Sequence, residues 1–149
     1  MHMTQSDDEV YQYAIRLLAR RDLTASQVRD KLSVKFGAIS ERVIERLVSE
    51  KFLNDQRFAE TYVERRPNRG PLRLRQELIA RGITTNLADL VLQNAPLPSL
   101  QDAVKAKMLV WNLRAPLQRR DAARLFRALV RLGYEEEAVR GEIEQLHEQ

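Results

Sequence analysis

Arginine carries most of the chemistry this chain has to offer. Arg65, Arg66, Arg69, Arg73, Arg75 and Arg81 fall within 17 residues, and Glu77 alone opposes them. The segment therefore carries about +5. Each guanidinium is a planar fork of N–H donors that fits a phosphate or a carboxylate. A second run, Arg114, Arg119, Arg120, Arg124, Arg127 and Arg131, is opposed by Asp121 alone. Arg120, Arg124, Arg127 and Arg131 recur at three- and four-residue spacing, which makes one stripe on a helix. Charges that repel one another over so short a stretch point to a polyanionic partner. The competing reading is a solvated face with local pairs such as Arg73–Glu77. The candidate contacts are Arg65, Arg66, Arg69, Arg73, Arg75, Arg81, Arg119, Arg120, Arg124 and Arg127.

The elements that must hold these side chains are helices. Phe58, Ala59, Tyr62 and Val63 recur at one-turn spacing and predict a buried stripe. Leu74 and Leu78, flanked by Leu72 and Ile79, predict another, and a turn at Pro67–Pro71 joins the two helices. Arg69 and Arg73 are one turn apart. Arg75 points away from Arg73, since two residues along a helix turn it by about 200°. The N–H groups of Pro71–Leu74, at a helix start, are expected to add to the pull on an anion. Trp111 and Tyr62 lie at apolar helical positions and read as core rather than as base-stacking platforms.

No catalytic constellation accompanies the arginines. His2 and His147 sit near opposite ends, and the chain has no cysteine. Disulfides, thiolate nucleophiles and zinc sites with thiolate ligands are excluded. There is no Gly-rich phosphate loop, H-E-x-x-H or G-x-S-x-G. Asp7-Asp8-Glu9 and Glu135-Glu136-Glu137 stand at expected helix starts, where the helix dipole accounts for them. No enzyme activity, metal or cofactor is expected. Nor is a membrane span, and the expected location is the cytoplasm.

The 149 residues carry a net charge of +4, and 20 of the 25 basic residues are arginine. A GC-rich genome would account for that ratio but not for the clustering. Gly and Pro number five each, which suits a helical protein. Met1–Gln5 is expected to fray, and Met1-His2-Met3 is compatible with a cloning remnant. Ser6 with Glu9, and Thr24 with Gln27, have capping-box spacing. Tyr11, Ala14, Leu17 and Leu18 line the first helix, Val28, Leu32 and Phe36 the second. Ser40 caps a third carrying Val43, Ile44, Leu47 and Val48, which ends near Lys51. Asn54 or Asp55 caps the helix of Phe58, and Thr84 or Thr85 the helix of Leu87, Val91 and Leu92. Gln93–Ser99, with Pro96 and Pro98, reads as a hinge. Ser99 opens the helix of Leu100, Val104, Met108 and Trp111. Pro116 opens that of Ala122, Leu125, Phe126 and Leu129. Ala138, Val139, Ile143 and Leu146 belong to the last.

Three helices end alike, in K-F-G-A-I-S, R-G-I-T and L-G-Y-E, at Gly37, Gly82 and Gly133. Gly37 suits a left-handed cap. This periodicity predicts three tandem three-helix repeats over residues 6–53, 54–95 and 99–149. They would be stacked in an elongated, curved all-α array.

Three strings carry a resemblance: A-I-R-L-L-A-R-R-D-L-T from Ala14, F-L-N-D-Q-R-F-A from Phe52, and R-G-P-L-R-L-R-Q-E-L-I-A-R-G-I from Arg69. They resemble the RecX family, regulators of the RecA recombinase. Gln27 and Val28 depart from the usual Glu-Leu, Phe52 replaces a usual Gly, and the third repeat matches weakly. The resemblance implies three three-helix repeats and docking in the groove of the RecA–DNA filament. It also implies suppression of RecA's ATPase and strand exchange in recombination and SOS repair. The expected partners are the RecA filament and single- and double-stranded DNA, with the protein a monomer. The alternatives are a stand-alone helical DNA-binding module and a scaffold whose arginines are incidental.

Overall fold

The computed structural model describes residues 5–148 and contains nine α-helices among them, with no strand. They are α1 (Gln5–Arg20), α2 (Ala25–Phe36), α3 (Glu41–Ser49), α4 (Asp55–Glu64), α5 (Pro71–Ala80), α6 (Thr85–Asn94), α7 (Leu100–Val110), α8 (Arg119–Leu132) and α9 (Glu136–Glu148). The fold is an all-α helical repeat. The expected fraying and cloning remnant at the N-terminus, and His2, fall on residues 1–4, outside the described ones.

Most helix starts follow from one side chain each. Thr24 makes the full capping box with Gln27. The Ser40 hydroxyl accepts from the Arg42 N–H and the Ser99 hydroxyl from the Asp102 N–H. Asn54 Oδ1 and Thr84 Oγ1 accept from the N–H groups of Arg57 and Leu87. Two expected starts are corrected. Ser6 lies inside α1, which begins at Gln5, though Asp7 and Asp8 do occupy its first turn. Pro116 does not open α8: it follows a cis peptide, and the helix begins at Arg119 with Gln118 as N-cap. The third helix stops at Ser49, and Lys51 takes a positive φ of 67°.

The chain divides into two compact units. The first takes the described residues up to Tyr62 together with Leu78–Val91; the second takes Val63–Glu77 and the described residues from Leu92 onward. In the first, Val10, Tyr11, Ala14, Val28, Leu32, Val43, Ile44 and Leu47 join Leu23 and Leu53 in one core. In the second, Val104, Leu117, Ala122, Leu125, Leu129, Tyr134, Val139 and Ile143 form another. Phe36 and Val48, expected inside, are exposed. Phe36 is the last residue of α2 and lies edge-on to Tyr13. Val48 follows Leu47, so it points about 100° away from the buried stripe. Leu72 and Ala138 are likewise exposed.

Each unit contains a joint in which a glycine-ended helix meets the start of another helix. In the first unit, the Thr24 hydroxyl donates to the Arg81 carbonyl at 2.6 Å while accepting from the Gln27 N–H. Thr24 is fully buried there. Gly82 has φ 91°, and a Cβ on it would come within 2.6 Å of Ser26 Oγ. The second unit repeats the device with Gly133, at φ 105° and ψ 23°, against the start of α5. Gly70 N–H donates to the Leu132 carbonyl, and Leu72 N–H to the Gly133 carbonyl at 2.9 Å. A Cβ on Gly70 would meet the Gly133 carbonyl carbon at 2.7 Å, so both positions need glycine. The joint lays the negative end of α8 on the positive end of α5.

A pH response follows from the packing of α1 on α3. The Tyr11 hydroxyl donates to the Glu50 carboxylate, which also accepts from Arg46 Nε at 3.1 Å. The Arg46 guanidinium lies 3.9 Å over the Tyr11 ring. The hydroxyl bond, then the Arg46 bond, hold the Glu50 carboxyl below its usual range. Burial, then Glu50, push the Tyr11 hydroxyl up. A depressed carboxyl stabilises the fold above its unfolded pKa and loses that contribution as pH falls through its folded one. Glu50→Gln should therefore be the less stable protein near neutrality, with the gap closing below about pH 4. Urea midpoints of both proteins across that range check it. A gap independent of pH would remove the carboxylate from the account.

Candidate nucleic-acid interface

Helix α8 is the clearest basic surface. Its buried residues, Ala122, Leu125 and Leu129, lie on the face opposite Arg120, Arg124, Arg127 and Arg131. That amphipathic division orients the stripe outward. Arg119, Arg120 and Arg127 are exposed and make no ion pair with other described residues. Arg124 stacks on Trp111, its guanidinium 3.8 Å from the ring centroid, with Lys107 5.2 Å from the same ring. Trp111, expected in the core, is half-buried and also packs against the core of the second unit. Within that unit, α8 therefore offers four arginines in water, Arg119, Arg120, Arg127 and Arg131, and a fifth, Arg124, over an aromatic ring.

The first cluster is built differently. Arg65 and Arg66 follow the end of α4, and Arg65 is exposed. Arg69 and Arg73 do not stand free. Arg69 Nη1 donates to one oxygen of Glu77, and Arg73 Nε donates to the other at 3.1 Å. Arg73 Nη1 also reaches the Arg131 carbonyl at 3.3 Å. The local pair that competed with anion binding in the sequence is thus present, and it takes two arginines rather than one. Arg75 is half-buried and has interactions of its own. The expected pull of the α5 N–H groups is mostly spent inside the protein. Leu72 N–H is bonded to the Gly133 carbonyl and Leu74 N–H to that of Gly70, and Pro71 has none, which leaves Arg73 N–H.

Arg81 belongs to the first unit, where its guanidinium lies 4.6 Å over the buried Tyr62 ring. Two features escape a reading of the sequence: Glu77 takes Arg69 as well as the Arg73 its spacing foretells, and Gly70, which looks like a turn residue, seats against Gly133. Arg131 stands in the stripe that the spacing gives but outside the candidate set.

The acidic runs are at helix starts. Glu135 accepts from the N–H groups of Glu137 and Ala138, capping α9, and Asp7 and Asp8 lie in the first turn of α1. His147 is exposed in the last turn of α9. Among the described residues, no group of three or more His, Asp or Glu side chains is placed to hold a metal ion. Among them, too, no helix is long and apolar enough to cross a membrane.

An all-helical repeat with an arginine-studded outer face has the build of a binding protein. Residues 11–47 match the family description "RecX, first three-helix domain", and residues 54–92 match "RecX, second three-helix domain". The chain belongs to the RecX family. It is 34% identical over 139 residues to the Regulatory protein RecX of Halorhodospira halophila, covering 91% of this chain and 86% of that one. It is 35% identical over 128 residues to the Regulatory protein RecX of Thermus thermophilus, covering 85% and 84%. The crystal structure of RecX from Lactobacillus salivarius has the same fold, with a TM-score of 0.76 at 20% identity, covering 97% of this chain and 98% of that one.

Proposed function

We propose that this chain is a non-enzymatic, cytoplasmic regulator of a RecA recombinase. It binds the recombinase–DNA filament and, by occupying the filament groove, suppresses ATP hydrolysis and strand exchange in recombination and SOS repair. Three tandem three-helix repeats, over residues 6–53, 54–95 and 99–149, span the contact as a monomer. Arg119, Arg120, Arg124 and Arg127 meet phosphates. The observation behind this reading is the exposed arginine row of α8, lying opposite that helix's buried face, in a chain whose relatives are named regulatory proteins. Guanidinium groups with no internal carboxylate partner keep their full attraction for phosphate.

The test is ATP hydrolysis by the cognate recombinase on single-stranded DNA, with co-sedimentation of this chain on preformed filaments. The reading expects inhibition, and retention on filaments well above that on naked DNA. Equal retention on both would favour a stand-alone DNA-binding module. No association with either at low salt would leave the arginines incidental.

A further inference from the structure

We propose that Glu77 withholds Arg69 and Arg73 from a polyanion, so that the arginines of α8 carry the contact and Glu77 sets how much of the basic surface is available. This rests on the preceding reading that the surface takes a polyanion. Both Glu77 oxygens are engaged, one by Arg69 and one by Arg73. The carboxylate is only 19% exposed, against 32% and 39% for its two partners. A phosphate that recruits either arginine must first break a charge-assisted bond in partly desolvated surroundings. It would also strip a half-buried carboxylate of a counter-charge, which is costly. Arg127 carries no such obligation: it is exposed, with no ion pair among the described residues. Two arginines and one carboxylate thus present a net single charge, with each guanidinium bonded to that carboxylate. The α8 row presents one full charge per residue.

The alternative is that Glu77 pre-aligns the two guanidinium forks for phosphate, and the two roles have opposite signs. The experiment is fluorescence anisotropy of a labelled single-stranded oligonucleotide over a salt series, using the full chain and three variants. Removing one arginine–phosphate pairing flattens the logarithmic salt slope by about 0.7. Arg127→Ala should flatten it by about that amount, while Arg69→Ala should leave it unchanged. Glu77→Gln should tighten binding and steepen the slope by up to about 1.4, as two arginines are released. Arg69 is chosen over Arg73 because it makes no bond to the α8 carbonyls and can be removed without touching the joint. It therefore still decides the matter if Glu77→Gln fails to fold by circular dichroism. A slope as flat in Arg69→Ala as in Arg127→Ala, or weaker binding by a folded Glu77→Gln protein, overturns the proposal. No salt-dependent binding by the unaltered chain overturns the polyanion reading beneath it.

Discussion

Alanine at Gly133 should destabilise the second unit by about 3 kcal/mol or more, the largest stability effect expected of any glycine substitution in the chain. The left-handed backbone there, φ 105° and ψ 23°, costs a residue with a Cβ about 1–2 kcal/mol. The new Cβ would also lie 2.6 Å from the Arg73 backbone nitrogen and 3.0 Å from its Cα. Those are backbone atoms and cannot swing aside. Opening the gap separates Leu72 N–H from the Gly133 carbonyl and Gly70 N–H from Leu132, exposing or orphaning both pairs. Two other glycines isolate the terms. Gly37, expected as a left-handed cap, instead has φ 77° and ψ −143°, outside the left-handed helical region, with open space around it, so alanine there costs backbone strain alone, of a kind only glycine escapes. Gly141 sits inside α9 with open space and an ordinary φ, so alanine there should gain about 0.5–1 kcal/mol. Urea midpoints of the three variants give the ordering. A Gly133→Ala protein that loses no more than about 1–2 kcal/mol, the left-handed strain alone, would mean that α8 and α5 do not meet as described.

Reversing the charge of Arg119, Arg120 and Arg127 together, to glutamate, should weaken binding to DNA about 100-fold or more and abolish suppression of the recombinase. Three phosphate contacts worth about 1 kcal/mol each already give that factor, before any repulsion. The fold should survive. All three side chains are exposed, and glutamate at 119 and 120 falls in the first turn of α8, where the helix dipole favours an anion. Weakened binding would then not be a failure of structure, and circular dichroism checks this directly. Trp111, the only tryptophan, supplies a second readout because Arg124 of the same row stacks on it. Its emission should change on DNA binding in the unaltered chain and stay flat in the triple variant. Undiminished suppression by a folded triple variant would remove α8 from the interface.

What could be read from the sequence was what neighbours along the chain determine. Thr24 with Gln27, Ser40 and Ser99 cap helices as their spacing indicates, since a cap needs only the next turn. The ends at Gly82 and Gly133 were legible for the same reason, as was the buried stripe of α8. Engagements between distant residues were not. Arg73 to Glu77 is one helical turn and could be foreseen; Arg73 to the Arg131 carbonyl spans 58 residues and could not. The open appearance of the first arginine cluster was therefore an artefact of reading charges without their tertiary partners. Trp111 packs against the core of the second unit as its spacing indicates but stays half-buried, because helical periodicity says which face a residue occupies, not how far the neighbouring helix covers it.

The seating of α8 on α5 treats the two poles of α8 unequally. The carbonyl pole is discharged against the amide pole of α5. The amide pole begins at Gln118, whose side chain makes no capping bond, so its partial positive charge adds to that of Arg119 and Arg120 within the first turn, the range over which a helix dipole acts.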